Sequence, residues 1–61
     1  MLVNLRSGKA IAGVLWRRGP RFLRLRGAEL IEGDRRYPVD GEVLIEWANV
    51  DFVQVLPGGG S

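Results

Sequence analysis

The segment GEVLIEWANVDFV, residues 41–53, carries the strongest fold signal in this chain. Residues 42–47 predict a strand with Val43 and Ile45 turned inward and with Glu42, Leu44 and Glu46 turned outward. A tight connection at Ala48-Asn49 leads into a final strand, residues 50–56, that is apolar on both faces apart from two polar side chains. A strand of that composition is typical of burial on both sides.

Glycines and turn signals divide the rest of the chain into short strands, as in small all-β sandwiches and barrels. We predict strands over residues 2–6, 10–17 and 21–26, with residues 28–31 either continuing the third strand or beginning a fourth. Gly13 falls inside the second strand, where glycine marks a sharp bend or a close backbone approach. No stretch keeps the apolar spacing of an amphipathic helix, so we expect no substantial helix.

The chain is so short that its own core makes it only marginally stable. It has 61 residues, a net charge of +2, and neither cysteine nor histidine, so disulfides and thiolate metal sites cannot stabilise it. A small domain without such links commonly relies on oligomerisation. We therefore expect one domain, residues 1–56, and a flexible Gly-rich tail, residues 57–61, in a homo-oligomer that holds no cofactor and no metal.

Apolar residues and glycines recur at set spacings in two groups. The first group is Val3, Leu5, Gly8, Gly13 and Leu15, followed by Leu23-Arg24-Leu25 and Ala28. The second group is Val43-Leu44-Ile45, Asn49 and Val50-Asp51-Phe52-Val53. Together they resemble the motifs of the Sm-like family of small β-barrels, and the resemblance covers most of residues 2–56. It implies a five-stranded, strongly bent antiparallel barrel whose outer strands pair between subunits to form a ring.

The residues with which Sm-like proteins bind uridine-rich RNA have no counterpart in this chain. Those proteins carry an Asp-x-x-Met-Asn loop before the third strand, whereas residues 18–22 here read Arg-Gly-Pro-Arg-Phe. The family's Arg-Gly pair after the fourth strand is Glu46-Trp47 here. The resemblance therefore implies the scaffold and the ring of the family without its RNA pocket.

The final strand predicts the subunit interface. In a monomeric barrel one of its apolar faces would meet water, and an exposed apolar edge is a liability unless another strand pairs with it. Tryptophan is a residue type favoured at interfaces. The predicted interface residues are Trp47, Val50, Phe52, Val53 and Val55. The alternatives are a small internal cluster formed with residues 29–39 and, for the tryptophan, a cap on the core.

Arginines and aromatic residues alternate around the second predicted turn. Such a surface can neutralise phosphates and stack bases, or it can form a tip that meets another protein. The predicted contact residues are Trp16, Arg17, Arg18, Arg21, Arg24 and Arg26, with Phe22 on the same outer face of the hairpin. The alternative is a solvated strand face, on which arginines keep an edge soluble and cover apolar surface with their stems.

No arrangement of residues in the sequence supports catalysis. The carboxylates fall in predicted turns or alternate with exposed positions, no serine lies beside a base, and no glycine-rich phosphate loop opens a helix. We therefore expect a non-enzymatic structural, assembly or adaptor protein. The alternatives are a ring that binds RNA or DNA through its arginines, and an oligomer that binds a small ligand between subunits.

The short length and the arginine usage are also similar to those of small proteins of tailed bacteriophages. That similarity implies a virion component or an assembly accessory. No apolar run reaches about 20 residues, the length of a membrane span, and the N-terminus lacks the pattern of a signal peptide. We expect synthesis in the cytoplasm, incorporation into a virion on the bacteriophage interpretation, and no membrane partner.

Overall fold

The computed structural model describes residues 1–55, which form six β-strands. The strands are β1 (Leu2–Leu5), β2 (Ala10–Arg18), β3 (Phe22–Glu32), β4 (Arg35–Pro38), β5 (Glu42–Glu46) and β6 (Val50–Gln54). A 3-10 helix of three residues, Trp47–Asn49, joins β5 to β6. Leu56 and the expected Gly-rich tail, residues 57–61, lie outside the described residues.

All of these strands pair in the antiparallel sense, and β3 is the centre of the sheet. On one side β3 pairs with β2 along most of its length. On the other side its first half pairs with β5 and its second half with β4. β1 lies between β2 and β6, so β6 forms one edge of the sheet, and β4 and β5 together form the other.

The connection between β5 and β6 requires a strongly curled sheet. These two strands stand four pairing steps apart, which is roughly 19 Å in a flat sheet with about 4.8 Å between strands. The 3-10 helix between them has three residues and rises only about 2 Å per residue. Backbone hydrogen bonds tie the link to the end of β1 and to the start of β3, from Arg6 N–H to Asn49 O (2.9 Å) and from Trp47 N–H to Arg21 O (3.0 Å).

One small core fills the inner side of the curled sheet. Its buried side chains are Val3, Ile11, Leu23, Leu25, Ala28 and Ile45. Further apolar side chains pack against them and are partly buried, namely Met1, Leu5, Leu30, Val43, Val50 and Val53. The strands supply these residues at alternate positions, because successive side chains of a strand point to opposite faces of the sheet.

β3 bends at Gly27, where the backbone has φ +58°, and continues beyond the bend to Glu32. The register of the β2–β3 pairing shifts at Gly13. A Cβ atom on Gly13 would lie 3.2 Å from Ala28 Cβ and 3.2 Å from Arg26 O. The close backbone approach predicted at Gly13 is therefore confirmed, and it lets two long strands fold together over the core.

The predicted number of strands is wrong, since the sheet has six strands and not five. The additional strand is β4, which follows a turn at Gly33 (φ +62°) and pairs with the second half of β3. All four residues of β4 are exposed, so no alternation of polar and apolar residues marks it in the sequence. The six strands form an open antiparallel sheet that does not close into a barrel.

Candidate interaction surfaces

β5 and β6 are edge strands of the sheet. β5 pairs only with β3, and β6 pairs only with β1. Each strand therefore leaves one row of backbone N–H and C=O groups without a strand partner in the described chain, and such rows can pair with a further strand. β4 is a third edge, but it has four residues, begins with Arg35-Arg36 and ends at Pro38.

The predicted interface residues of β6 fall on both sides of the sheet. Val50 and Val53 pack against the core, whereas Phe52 and Val55 are 52% and 78% exposed. Asp51 has no partner in β1, so it forms a bulge in β6. Because of this bulge, Val50 and Val53 both face the core although they are three residues apart, and Phe52 between them faces outward. Within one chain, Phe52 in β6 and Val55 just after it are thus left uncovered.

Trp47, the remaining predicted interface residue, clamps the end of β5 to the β2–β3 turn. Its indole Nε1–H donates to Gly19 O (2.9 Å), and its backbone N–H donates to Arg21 O (3.0 Å). Gly19 N–H in turn donates to Phe22 O (2.8 Å), which closes the turn. The tryptophan side chain is 36% exposed, so part of its ring still faces the surface.

We expect Trp47→Phe to loosen this turn and leave the sheet intact. Phenylalanine cannot donate to Gly19 O, and such a hydrogen bond contributes about 1 kcal/mol, or roughly 4–8 °C in Tm for a domain of this size. Amide hydrogen exchange should become faster at Gly19. Trp16→Phe is the control, because the Trp16 side chain donates no hydrogen bond within residues 1–55. Equal exchange rates in the two variants would contradict the clamp.

An open groove lies beside this turn on the outer face of the sheet, with a volume of about 260 Å³. The β2–β3 turn, the first half of β3 and the middle of β5 line it. Its principal side chains are Arg17, Arg18, Arg21, Arg24, Phe22 and Leu44. Phe22 and Leu44 are 42% and 55% exposed, and we call these two side chains the apolar floor of a groove that four arginines also line. We call it the tip groove.

Three of the predicted contact residues are held by contacts within the chain. The Glu42 carboxylate lies 3.4 Å from Arg24 Nη1 and 3.3 Å from Arg26 Nη2. Arg26 also covers Trp16, with its Cζ 3.5 Å from the ring centroid, where the ring face attracts a cation. Exposed ion pairs of this kind contribute little to stability.

The other three predicted arginines, Arg17, Arg18 and Arg21, form no ion pair within residues 1–55. Positive charge is concentrated around them. Residues 17–26 together with β5 carry five arginines and two glutamates, an excess of three positive charges. The remaining four basic and five acidic residues leave one excess negative charge. The net charge of +2 therefore comes from a basic tip on a slightly acidic body.

Two residues of this surface, Leu44 and Glu42, were not predicted from the sequence. Leu44 is an apolar residue at an outward position of an alternating strand, and that mismatch was the available signal. Glu42 joins two arginines of β3 because β5 pairs with β3 in one particular register, and no local pattern encodes that register. The common outer face predicted for Phe22, Arg24 and Arg26 agrees with the structure, since all three are exposed while the residues between them are buried.

Residues 1–55 contain no group of three or more His, Cys, Asp or Glu side chains placed to hold a metal ion. The same part of the chain has no helix that is long and apolar enough to cross a membrane. No protein-family model, curated protein or solved structure matches this chain. Residues 1–55 thus form an all-β domain with an open, curled antiparallel sheet. The resemblances to Sm-like proteins and to bacteriophage proteins remain predictions.

Proposed function

We propose that this chain is a non-enzymatic β-sheet module that assembles with copies of itself and serves as a structural or assembly component. The observation that carries the proposal is the pair of free edge strands, each with an exposed apolar side chain at its centre. These side chains are Leu44 in β5 and Phe52 in β6, which are 55% and 52% exposed. An edge that leaves both backbone groups and apolar side chains uncovered favours the addition of another strand.

The difference between the two edges favours a head-to-tail assembly. When β5 of one copy pairs with β6 of the next, every added copy still offers one free edge of each kind. Contacts of this type continue until the rotation between copies closes a ring. The curl of the sheet brings both edges to one corner, at Trp47–Asn49, and so supplies a large rotation per subunit. A homo-oligomeric ring is therefore the form that we propose.

Native mass spectrometry and analytical ultracentrifugation of the purified protein test this proposal. The expected result is one discrete species whose mass is a whole multiple of 6.8 kDa, the mass of one chain. A particle of single-chain mass at the highest soluble concentration would overturn the proposal. The mass spectrum would also reveal any nucleic acid that purifies with the protein.

The basic tip favours a second candidate function, the binding of RNA or DNA. Three arginines without ion pairs and the local excess of positive charge suit a polyanion, whose affinity would fall steeply with salt concentration. Base stacking has less support, because Arg26 already covers one face of Trp16. Among the residues lining the tip groove, only Phe22 is aromatic.

We expect the double variant Arg17→Glu, Arg18→Glu to leave folding intact and to abolish nucleic-acid binding if the wild-type protein has it. Both side chains are exposed, so the fold loses no packing, and the Tm should stay close to that of the wild type. Fluorescence anisotropy with uridine-rich and adenine-rich RNA at about 50 mM salt measures binding. Unfolding of the double variant would show instead that these arginines are structural.

The matched control is Arg6→Glu with Arg35→Glu, because these arginines are also exposed and form no ion pair within residues 1–55. They lie away from the tip but give the same change in charge. Micromolar, sequence-selective binding by the wild type, lost in the tip variant and kept in the control, would favour the second function over the first. A wild-type protein that binds neither RNA at low salt removes the second function.

A further inference from the structure

The tip groove and the outer face of β6 have complementary chemistry. The groove presents its apolar floor together with four arginines, whereas β6 presents Phe52 next to Asp51. Asp51 is exposed and forms no ion pair within residues 1–55. We infer that the tip groove of one copy receives Asp51 and Phe52 of the next copy. The arginine tip and the final strand are then two halves of a single interface, an inference that rests on the proposed self-assembly.

The alternation of side chains restricts the register in which β6 of one copy pairs with β5 of another. Antiparallel pairing with Leu44 opposite Phe52 keeps both exposed side chains on the outer face. The same register sets Val43 opposite Val53 on the inner face, where both pack against a core. A shift of one residue would reverse the faces, and a shift of two would set the phenylalanine opposite a glutamate at either end of β5.

This register brings Phe52 to the apolar floor of the tip groove. Leu44 lies across from Arg24 in the β3–β5 pairing, and Phe22 lies two residues before Arg24 on the same face of β3. A ring placed beside Leu44 is therefore within reach of the Phe22 ring. The contact would cover three apolar side chains that a single copy leaves between 42% and 55% exposed.

The same register directs Asp51 toward the arginines without ion pairs. In an antiparallel pair with Leu44 opposite Phe52, the preceding residue of β6 lies toward the Glu46 end of β5. That end adjoins the β2–β3 turn, because Trp47 N–H donates to Arg21 O (3.0 Å). At this end of β5 the Glu46 carboxylate faces an excess of positive charge, because three arginines lie at or beside the turn. The local electrostatic field therefore attracts a second acidic group.

Single cysteines test the register, because the chain has no cysteine of its own. We would mix equal amounts of Leu44→Cys and Phe52→Cys protein and oxidise the mixture gently. Directly opposite residues of an antiparallel pair have Cβ atoms about 4.5–5.5 Å apart, close enough for a disulfide after a small adjustment. The expected product is a disulfide between position 44 of one copy and position 52 of another. Val14→Cys mixed with Phe52→Cys is the control and should give little product.

Each cysteine variant oxidised alone separates head-to-tail assembly from two-fold pairing. Neither should cross-link efficiently, because the inferred contact never brings two copies of one position together. A dominant 44–44 or 52–52 disulfide, or no cross-link in a protein that native mass spectrometry shows to be oligomeric, overturns this inference and leaves the proposed self-assembly standing. A wild-type protein of single-chain mass overturns both.

The salt dependence of assembly tests the role of Asp51. Asp51→Asn removes the charge and keeps the size of the side chain, so assembly should weaken at least fivefold at about 50 mM salt and much less at about 1 M, where charges are screened within about 3 Å. Asp34→Asn, in the exposed turn between β3 and β4, is the control and should behave like the wild type. An Asp51→Asn protein with the same salt response as the control would show that the arginines do not receive this carboxylate.

Discussion

A Phe52→Asp variant is expected to be a folded monomer under conditions in which the wild-type chain is fully assembled. Phe52 is 52% exposed within one chain, whereas the proposed interface covers it at its centre. Removal of a central aromatic residue costs about 2–4 kcal/mol for each contact, which weakens that contact by a factor of roughly 30 to 700. A ring repeats the loss at every contact, so only the monomer should remain. Sedimentation measures the mass, and circular dichroism measures the strand content.

The fold should survive this substitution because Phe52 does not belong to the core. Its neighbour across the β1–β6 pairing is Asn4, whose Nδ2 is buried without a hydrogen-bond partner, and the new carboxylate offers that amide an acceptor. Loss of the cross-strand contact costs up to about 1 kcal/mol. Val14→Asp is the matched control, since Val14 is 67% exposed on a central strand. An unchanged oligomer in Phe52→Asp, or a monomer in the control, would contradict the assigned interface.

Leu25→Ala is expected to leave most of the protein unfolded at room temperature and low concentration. Leu25 has no exposed surface and lies at the centre of the small core. A Leu→Ala change at such a site costs about 2–5 kcal/mol, and the core of so short a chain rarely supplies more than about 3–5 kcal/mol. Urea unfolding followed by circular dichroism measures the loss. The control is Val14→Ala, which should change the free energy of unfolding by less than about 0.5 kcal/mol.

The Leu25→Ala protein should regain part of its folded population when its concentration is raised. Assembly binds only folded copies, and binding to the folded state stabilises it by mass action. Phe52 is intact in this variant, so its edge remains able to pair. A folded fraction that does not depend on concentration would show that self-assembly does not contribute to the stability of the fold.

Local patterns in the sequence predicted the parts of the fold that local physics decides. The alternation around Leu23 and Leu25 gave the inward face of β3 correctly, because period-two patterning follows directly from strand geometry. Gly13 was predicted to mark a sharp bend or a close backbone approach, because glycine inside a strand is typical of such positions. Alternation from the buried Ile11 predicts Leu15 on the inner face of β2, but Leu15 is 38% exposed, because β2 runs past the small core toward the tip.

The remaining features depend on contacts between distant residues. Trp47 and Gly19 are 28 residues apart in the chain when they share a hydrogen bond, and Glu42 meets Arg24 across 18 residues. Such pairs follow from the β3–β5 register, which the polar segment before β5 does not specify. β4 was missed for a related reason: it takes its strand conformation from pairing with β3, and its own residues give no apolar pattern.

In the proposed assembly, β4 limits the number of ways in which a subunit can join others. Its four exposed residues begin with two arginines, which repel a like strand, and end at Pro38, which has no N–H to offer a neighbour. In the language of polymer chemistry the subunit is therefore difunctional, and difunctional units give linear chains or cycles. A third adhesive edge would make it trifunctional, and trifunctional units crosslink into a gel. In the proposed assembly, two arginines and a proline thus separate linear chains or cycles from a crosslinked network.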